Sequence, residues 1–188
     1  MIDLNFKTKY NYKINLINNK RYIFDPLRKK NVLLTAEEWV RQNIISFLHK
    51  DLKVPASHIA VEKGFKVKGL SKRFDIVVFD KKGNIIILIE CKSPKIKLNQ
   101  KSIDQLVIYN MVLNASYLML SNGLKHIFIK YQNGNFEIID NISKGNLSKA
   151  RELVKLVLER KAVEFLEKEK VNTSKDFLKD KSDETGEE

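Results

Sequence analysis

Residues 72–94 read Lys72-Arg73-Phe74-Asp75-Ile76-Val77-Val78-Phe79-Asp80-Lys81-Lys82-Gly83-Asn84-Ile85-Ile86-Ile87-Leu88-Ile89-Glu90-Cys91-Lys92-Ser93-Pro94. Two apolar runs flank Asp80–Asn84, a cluster of turn-forming residues, so the spacing predicts strands over Arg73–Phe79 and Ile85–Lys92 joined as an antiparallel pair. The unbroken aliphatic run Ile85 to Ile89 predicts a second strand buried on both faces, and Pro94 ends it.

Polar residues interrupt this apolar pair at only a few places. Asp75 is followed by fourteen residues and then by Glu90-Cys91-Lys92. Side chains alternate along a strand, so Glu90 and Lys92 share the face that also carries Ile86 and Leu88. Charges at the end of such a row are costly unless paired or bound to a metal. If the hairpin register brings Asp75 back to Glu90, the two carboxylates would offer hard oxygen ligands to Mg²⁺, with the backbone carbonyl of Cys91 as a further ligand. Lys92 would then orient a nucleophile or offset charge in a transition state. An Asp…Glu-x-Lys pattern also occurs by chance in a lysine-rich chain, where its plain meaning is an ordinary ion pair.

Working outward, Trp39, Val40, Ile44, Phe47 and Leu48 recur at helical spacing over Thr35–His49, and Thr35-Ala36-Glu37-Glu38 matches a capping box. A strand is expected over His58–Lys63, with a turn near Gly69. Beyond Pro94 the pattern predicts a helix over Gln100–Leu113 and strands over Tyr117–Leu120 and His126–Tyr131, separated by a turn at Ser121-Asn122-Gly123. A helix between the third and fourth of these strands permits a parallel crossover. The expected class is therefore α/β, a mixed sheet covered by helices on both faces. Residues 1–30 are expected as a loosely attached segment with one short strand, Arg21–Asp25, ending in a turn at Pro26; 31–140 form the core. An amphipathic helix lies within 145–168, seen in Ala150, Leu153 and Val157. Residues 171–188 are expected as an acidic, disordered tail.

The chain has 188 residues, 43% hydrophobic and 31% charged, which suits one folded domain. No run approaches the roughly 18 apolar residues that span a bilayer, and the N-terminus lacks a signal-peptide pattern, so a cytoplasmic location and no membrane partner are expected. Cys91 is the single cysteine, which excludes an internal disulfide and a thiolate-rich metal site. Net charge is +12; residues 169–188 hold seven acids against four lysines, net −3, which leaves +15 on the rest. That surplus suits a polyanion such as DNA, and equally a chain that lysines keep in solution; charge alone does not exclude RNA. His49, His58 and His126 show no metal-ligand spacing, and Trp39 sits at a core position of its helix.

The segments Thr35–Gln42, Lys72–Phe79, Ile89–Pro94 and Gln105–Asn110 (Gln105-Leu106-Val107-Ile108-Tyr109-Asn110) together resemble, in the same order, the N-terminal nuclease domain of type I restriction enzyme restriction subunits, as a stand-alone relative. The resemblance spans about residues 30–140. It implies the PD-(D/E)XK restriction-endonuclease-like fold and metal-dependent hydrolysis of DNA phosphodiester bonds, with Mg²⁺ as cofactor and Mn²⁺ as a substitute. Under it Asp75 and Glu90 are metal ligands and Lys92 is the catalytic lysine. Gln105 and Tyr109 match its Gln-x-x-x-Tyr signature, four apart on one helical face; with Arg73 they are assigned to substrate. Glu38 matches the acid offered by the first helix, with the capping box as its competing role and Glu37 and Arg41 as neighbouring alternatives. Glu62 is a further candidate acid. Implied partners are DNA, restriction-modification partner subunits, and a second copy as homodimer. Nothing resembles Gly-x-x-x-x-Gly-Lys-Ser/Thr, so no translocating motor is expected within this chain. Two rival readings are a non-catalytic DNA-binding or scaffolding module that keeps the fold, and an interaction protein whose basic face meets an acidic partner.

Overall fold

The computed structural model describes residues 1–67, 70–132 and 135–142. Strands β1 (Ile14–Ile17), β2 (Lys20–Asp25) and β3 (Lys30–Leu33) form an antiparallel sheet of their own. Helix α1 (Ala36–Ser46) follows, continued by a π-helical turn over Phe47–Asp51, and a 3-10 turn leads into β4 (Ile59–Val61). Strands β5 (Gly64–Val67) and β6 (Leu70–Arg73) form a two-stranded sheet among the described residues. Then come β7 (Ile76–Phe79), β8 (Ile85–Cys91), α2 (Gln100–Leu113), β9 (Tyr117–Ser121), β10 (His126–Gln132) and β11 (Asn135–Ile142). The main sheet has the order β11-β10-β9-β8-β7-β4. Among the described residues only β8 and β9 run parallel, and α2 makes their crossover.

The sheet is mixed and the fold is α/β, as the pattern predicts. Val77, Leu88, Leu118 and Leu120 bury one face in a cluster with Leu106 of α2. Ile76, Val78, Ile87 and Ile89, the alternate residues of the same strands, are buried too, and α1 contacts β8. An aliphatic run without polar alternation is what two covered faces require.

Three departures from the sequence reading matter. The expected strand Arg73–Phe79 is broken: Arg73 pairs back onto Gly64, whereas Ile76 pairs with Val61 and Ile89, so the chain changes partner at Phe74-Asp75. Residues 1–30 are not loosely attached; Leu4, Phe6, Ile23 and Asp25 are buried. Strand β11, not assigned from the sequence, pairs along the edge through a bulge at Phe128/Ile129, and the extra residue Ile139 breaks the polar-apolar alternation that Asn135–Ile138 begins. The helix expected within 145–168 and the acidic tail at 171–188 lie outside the described residues. Among the described residues no helix is long and apolar enough to cross a membrane.

A second bulge sets the register that matters for the site. Ile76, Val77 and Val78 face Ile89, Leu88 and Ile87, but Phe79 faces Ile85, so Ile86 is an extra residue on β8. Extending the pairing from Ile76 and Ile89 by one residue sets Asp75 opposite Glu90. Continuing the Phe79–Ile85 register without the bulge would set Asp75 opposite Ile89, with Glu90 on the other face.

The N-terminal residues return to the β9–β10 turn. Asn5 N–H donates to the Gly123 carbonyl at 2.7 Å, and the Asn5 carbonyl lies 3.3 Å from His126 Nε2. His126 Nδ1 is 2.8 Å from the Ser121 hydroxyl, and burial lowers the imidazole to about 4, so this histidine is a satisfied core residue. Gly123 has φ +79°, and a Cβ there would meet Leu4 at 2.7 Å and Val40 at 3.0 Å. Gly123→Ala should therefore cost about 2 kcal/mol, from left-handed strain and overpacking, lowering the melting temperature by about 4–8 °C. Thermal unfolding checks this, and an unchanged midpoint would mean that Leu4 does not pack there.

Candidate active site

Asp75 stands on the link just before β7, where the Glu62 N–H donates to its carbonyl at 3.0 Å. Its Oδ2 accepts the Cys91 N–H at 2.6 Å and its Oδ1 accepts Arg41 Nη2 at 2.7 Å. Across the ladder, Glu90 Oε1 accepts Lys92 Nζ at 2.8 Å and Gln105 Nε2 at 3.2 Å. Gln105 Nε2 also donates to the Tyr109 hydroxyl at 3.0 Å. Asp75 is 8% exposed and Glu90 6%. Asp75, Glu90 and Lys92, singled out in the sequence, thus meet Gln105 and Tyr109 of α2 at one end of the β7–β8 ladder, Asp75 and Lys92 standing just outside the strands.

Behind Asp75 lies a lattice of alternating charge. Arg41, in the second turn of α1, donates through Nη1 to Glu38 and through Nη2 to Asp75, with Glu37 at 3.2 Å and Glu62 at 3.5 Å. Its Nε is buried without a hydrogen-bond partner among the described residues, so the two terminal nitrogens hold the guanidinium. Arg28 bridges Glu38, Glu62 and Asp25, the last through Nε at 2.6 Å. Asp25 is fully buried and closes its own turn by accepting the Leu27 and Arg28 N–H groups, both at 2.8 Å. Gln42 Nε2 ties Asp25 at 2.7 Å to Glu38 at 2.9 Å. Each buried carboxylate here has a fixed cation or amide, the condition under which buried charge is tolerated.

The electrostatics follow from this packing. Burial, then the charge of Asp75, pushes the Glu90 carboxyl up to about 7, against the pull of Lys92. Burial and Asp75 also raise Glu37. Burial acts to lower Arg41 and Lys92, but the carboxylates around them outweigh it and both end raised: Asp75 and Glu38 for Arg41, Glu90 and Asp75 for Lys92. Burial, first of all, raises the Cys91 thiol, so it stays protonated. Among the described residues no group of three or more His, Cys, Asp and Glu is arranged to hold a metal ion. The donors that a hard cation would meet are the carboxylates of Asp75 and Glu90 and the Cys91 carbonyl. Two buried carboxylates side by side, with the Glu90 carboxyl raised by burial and by the charge of Asp75, fit such an ion chemically.

Other sequence candidates fall elsewhere. Arg73, its side chain 61% exposed, pairs with Glu62 at 3.0 Å. Glu38 forms half of the capping box: its N–H donates to Thr35 Oγ1 at 3.0 Å, while its carboxylate turns inward to Arg28 and Arg41. Trp39 donates its indole N–H to the Ile2 carbonyl at 3.1 Å, and His49 Nδ1 lies 2.9 Å from the Val54 carbonyl. Sequence reading missed Asp25, Arg28 and Gln42. A signal existed for Gln42, because Glu38, Arg41 and Gln42 share one helical face with Ile45, a polar stripe on a side that should be apolar. For Asp25 and Arg28 the only local mark was Asp25-Pro26-Leu27-Arg28, which any turn could carry.

Residues 36–143 match the family described as type I restriction enzyme R protein N terminus (HSDR_N). No curated protein matches the chain in sequence. Among solved structures, a fragment of an HsdR subunit of a type I restriction enzyme from Vibrio vulnificus YJ016 is similar at 15% identity and a TM-score of 0.43, covering 65% of this chain. The match spans 26% of that protein's chain.

Two predictions come from this geometry. Arg41→Ala leaves Glu38 and Asp75 buried without their shared cation and should cost about 3–5 kcal/mol in urea unfolding. Arg41→Lys should recover only part of that, because an ammonium has no fork; a loss under about 1 kcal/mol for Arg41→Ala would contradict the lattice. Because the Glu90 carboxyl is raised from 4.5 to about 7 by folding, its contribution to stability is full below about pH 4.5 and is lost as pH rises through 7. In EDTA, the melting temperature of the wild type should therefore fall from pH 5 to pH 8 more steeply than that of Glu90→Gln; parallel profiles would count against it.

Proposed function

The chain belongs to the family of type I restriction enzyme R protein N termini, and from that premise we propose that it is a metal-dependent endonuclease that hydrolyses DNA phosphodiester bonds on a PD-(D/E)XK core. The observation that carries this reading is that Asp75 accepts the N–H of Cys91, the residue after Glu90, at 2.6 Å, with Lys92 next in the chain and bonded to Glu90. Asp75, Glu90 and the Cys91 carbonyl are the proposed ligands of Mg²⁺, with Mn²⁺ as a substitute. When bound, such an ion polarises the scissile phosphate and lowers the pKa of its water. Each oxygen of Asp75 accepts one hydrogen bond; a carboxylate oxygen has a second lone pair, which is what remains for a ligand.

The chain's own residues divide the remaining work. Arg41 and the Cys91 N–H fix the Asp75 carboxylate in place before substrate arrives. Lys92, held protonated among the carboxylates, provides the cation next to the reacting phosphate and stabilises charge that builds up in the transition state. Gln105 orients Glu90 and is itself oriented by Tyr109. Glu38 acts through Arg41 on Asp75. Restriction-modification subunits are the proposed partners, and residues 31–140 are the proposed nuclease unit.

The second reading, a non-catalytic DNA-binding or scaffolding module, is favoured by one fact: both carboxylates are already engaged by protein donors. Supercoiled plasmid incubated with Mg²⁺, with Mn²⁺ and with EDTA separates the two. Nicking and linearisation should need the metal, and Asp75→Asn and Lys92→Ala should each slow it by about 100-fold or more. Plasmid left intact under every metal condition, yet retarded on a gel, would establish the binding module instead.

A further inference from the structure

Two runs of chain leave the Asp75–Glu90 end of the ladder, and both are basic without a single acid. Between Glu62 and Asp75 the sequence holds Lys63, Lys66, Lys68, Lys72 and Arg73. From Lys92 onward it holds Lys92, Lys95, Lys97 and Lys101 before the next acid, Asp104. The first run contains the β5–β6 hairpin, and the second is the loop from β8 to α2 with the first turn of α2, which carries Lys101.

The hairpin is rooted in the backbone of the site. Its base closes where Phe74 N–H donates to the Lys63 carbonyl at 3.3 Å, one step from the Glu62 to Asp75 bond at 3.0 Å. Gly64 faces Arg73 and Lys66 faces Ser71. Alternation then puts Lys66 and Arg73 on one face and Lys72 on the other. Lys63, Lys66, Lys72 and Arg73 are all exposed. Each strand has four residues, about 13 Å at ~3.3 Å per residue, or about four steps of a nucleic-acid strand at ~3.4 Å.

The loop is pinned so that its lysines point away. Pro94 and Leu98 are buried, Ile96 N–H donates to the Ser93 carbonyl at 2.9 Å, and Asn122 Nδ2 donates to the Ile96 carbonyl at 2.8 Å. Between and beyond these anchors Lys95, Lys97 and Lys101 are exposed.

We propose that the β5–β6 hairpin and the Lys92–Lys101 segment form a basic rim that grips the sugar-phosphate backbone of duplex DNA on two sides of Asp75 and Glu90. The substrate rests on the nuclease reading above; the assignment of the surface is new. Two separate cationic runs suit a duplex, which offers two rows of phosphates. A two-stranded ribbon is also what the DNA major groove admits, whereas the deep, narrow groove of an RNA helix does not.

The test is binding of a fluorescein-labelled 20-base-pair DNA duplex to the full chain, in EDTA so that nothing is cut, over about 50–200 mM NaCl. Each lysine that neutralises one phosphate contributes about 0.9 to the slope of log affinity against log salt. Lys66→Ala with Lys72→Ala should flatten that slope by about 1.8, and Lys95→Ala with Lys97→Ala by about the same. Lys81→Ala with Lys82→Ala, in the turn at the opposite end of β7 and β8, should leave it unchanged. The rim is overturned if the two rim pairs leave the slope as it was or if the far pair flattens it equally. Tighter retention of single-stranded RNA or of an acidic peptide than of the duplex overturns it as well. The two proposals fail separately: wild type that binds with a rim-dependent slope but never cuts with Mg²⁺ removes the nuclease and keeps the rim. Cutting that persists while the rim pairs leave binding unaltered removes the rim and keeps the nuclease.

Discussion

The guanidinium of Arg41 joins an acid on a helix to an acid on a strand end, and the candidate site depends on that junction. Glu38 and Asp75 belong to elements separated by the whole of β4 and the β5–β6 hairpin, and a single fork of nitrogens holds them together. Arg28 repeats the arrangement from the β2–β3 turn, where it meets Glu38 again with Glu62 and Asp25. Remove either cation and several buried carboxylates face one another in a medium that screens them poorly. The first thirty residues are therefore part of the site's foundation, although none of them was a candidate for chemistry.

What the sequence made readable, and what it hid, divides along a physical line. The Asp75, Glu90 and Lys92 pattern and the two helices were readable because strands and helices have fixed periods, so spacing alone tells which residues share a face. Gln105 reaches Glu90 as the four-residue spacing to Tyr109 suggested. The extra residue Ile86 was not readable, since one isoleucine among four gives no mark of a bulge, yet it sets the register. Asp25 and Arg28 were hidden for another reason: beyond their own turn, their partners Glu38, Gln42 and Glu62 are ten or more residues away and on other elements, so no local pattern reports them. The broken strand at Phe74-Asp75 belongs to the same class, since a change of partner depends on what stands beside the chain.

Membership of the restriction-subunit family and the geometry of the strand end bear on function at different levels. The family match covers residues 36–143 and so begins after Asp25 and Arg28, the residues that brace α1 from outside. Within the matched region, the side chains with the plainest chemical potential, Asp75, Glu90 and Lys92, are each held by hydrogen bonds from within the protein. Constraint of this kind suits a site that must hold its shape before its ligand arrives.

The bond between Asn5 and the β9–β10 turn has a consequence for how the protein is made. Asn5 and His126 are 121 positions apart, so at ribosomal speeds of about 5–20 residues per second the leading residues emerge roughly 6–24 seconds before their docking place exists. Leu4 and Phe6 must wait in water with their apolar surface uncovered until the later strands have been synthesised. Until then Leu4 and Phe6 offer an apolar surface to neighbouring chains, so slower synthesis of the stretch up to β10 would lengthen the time during which that surface can aggregate.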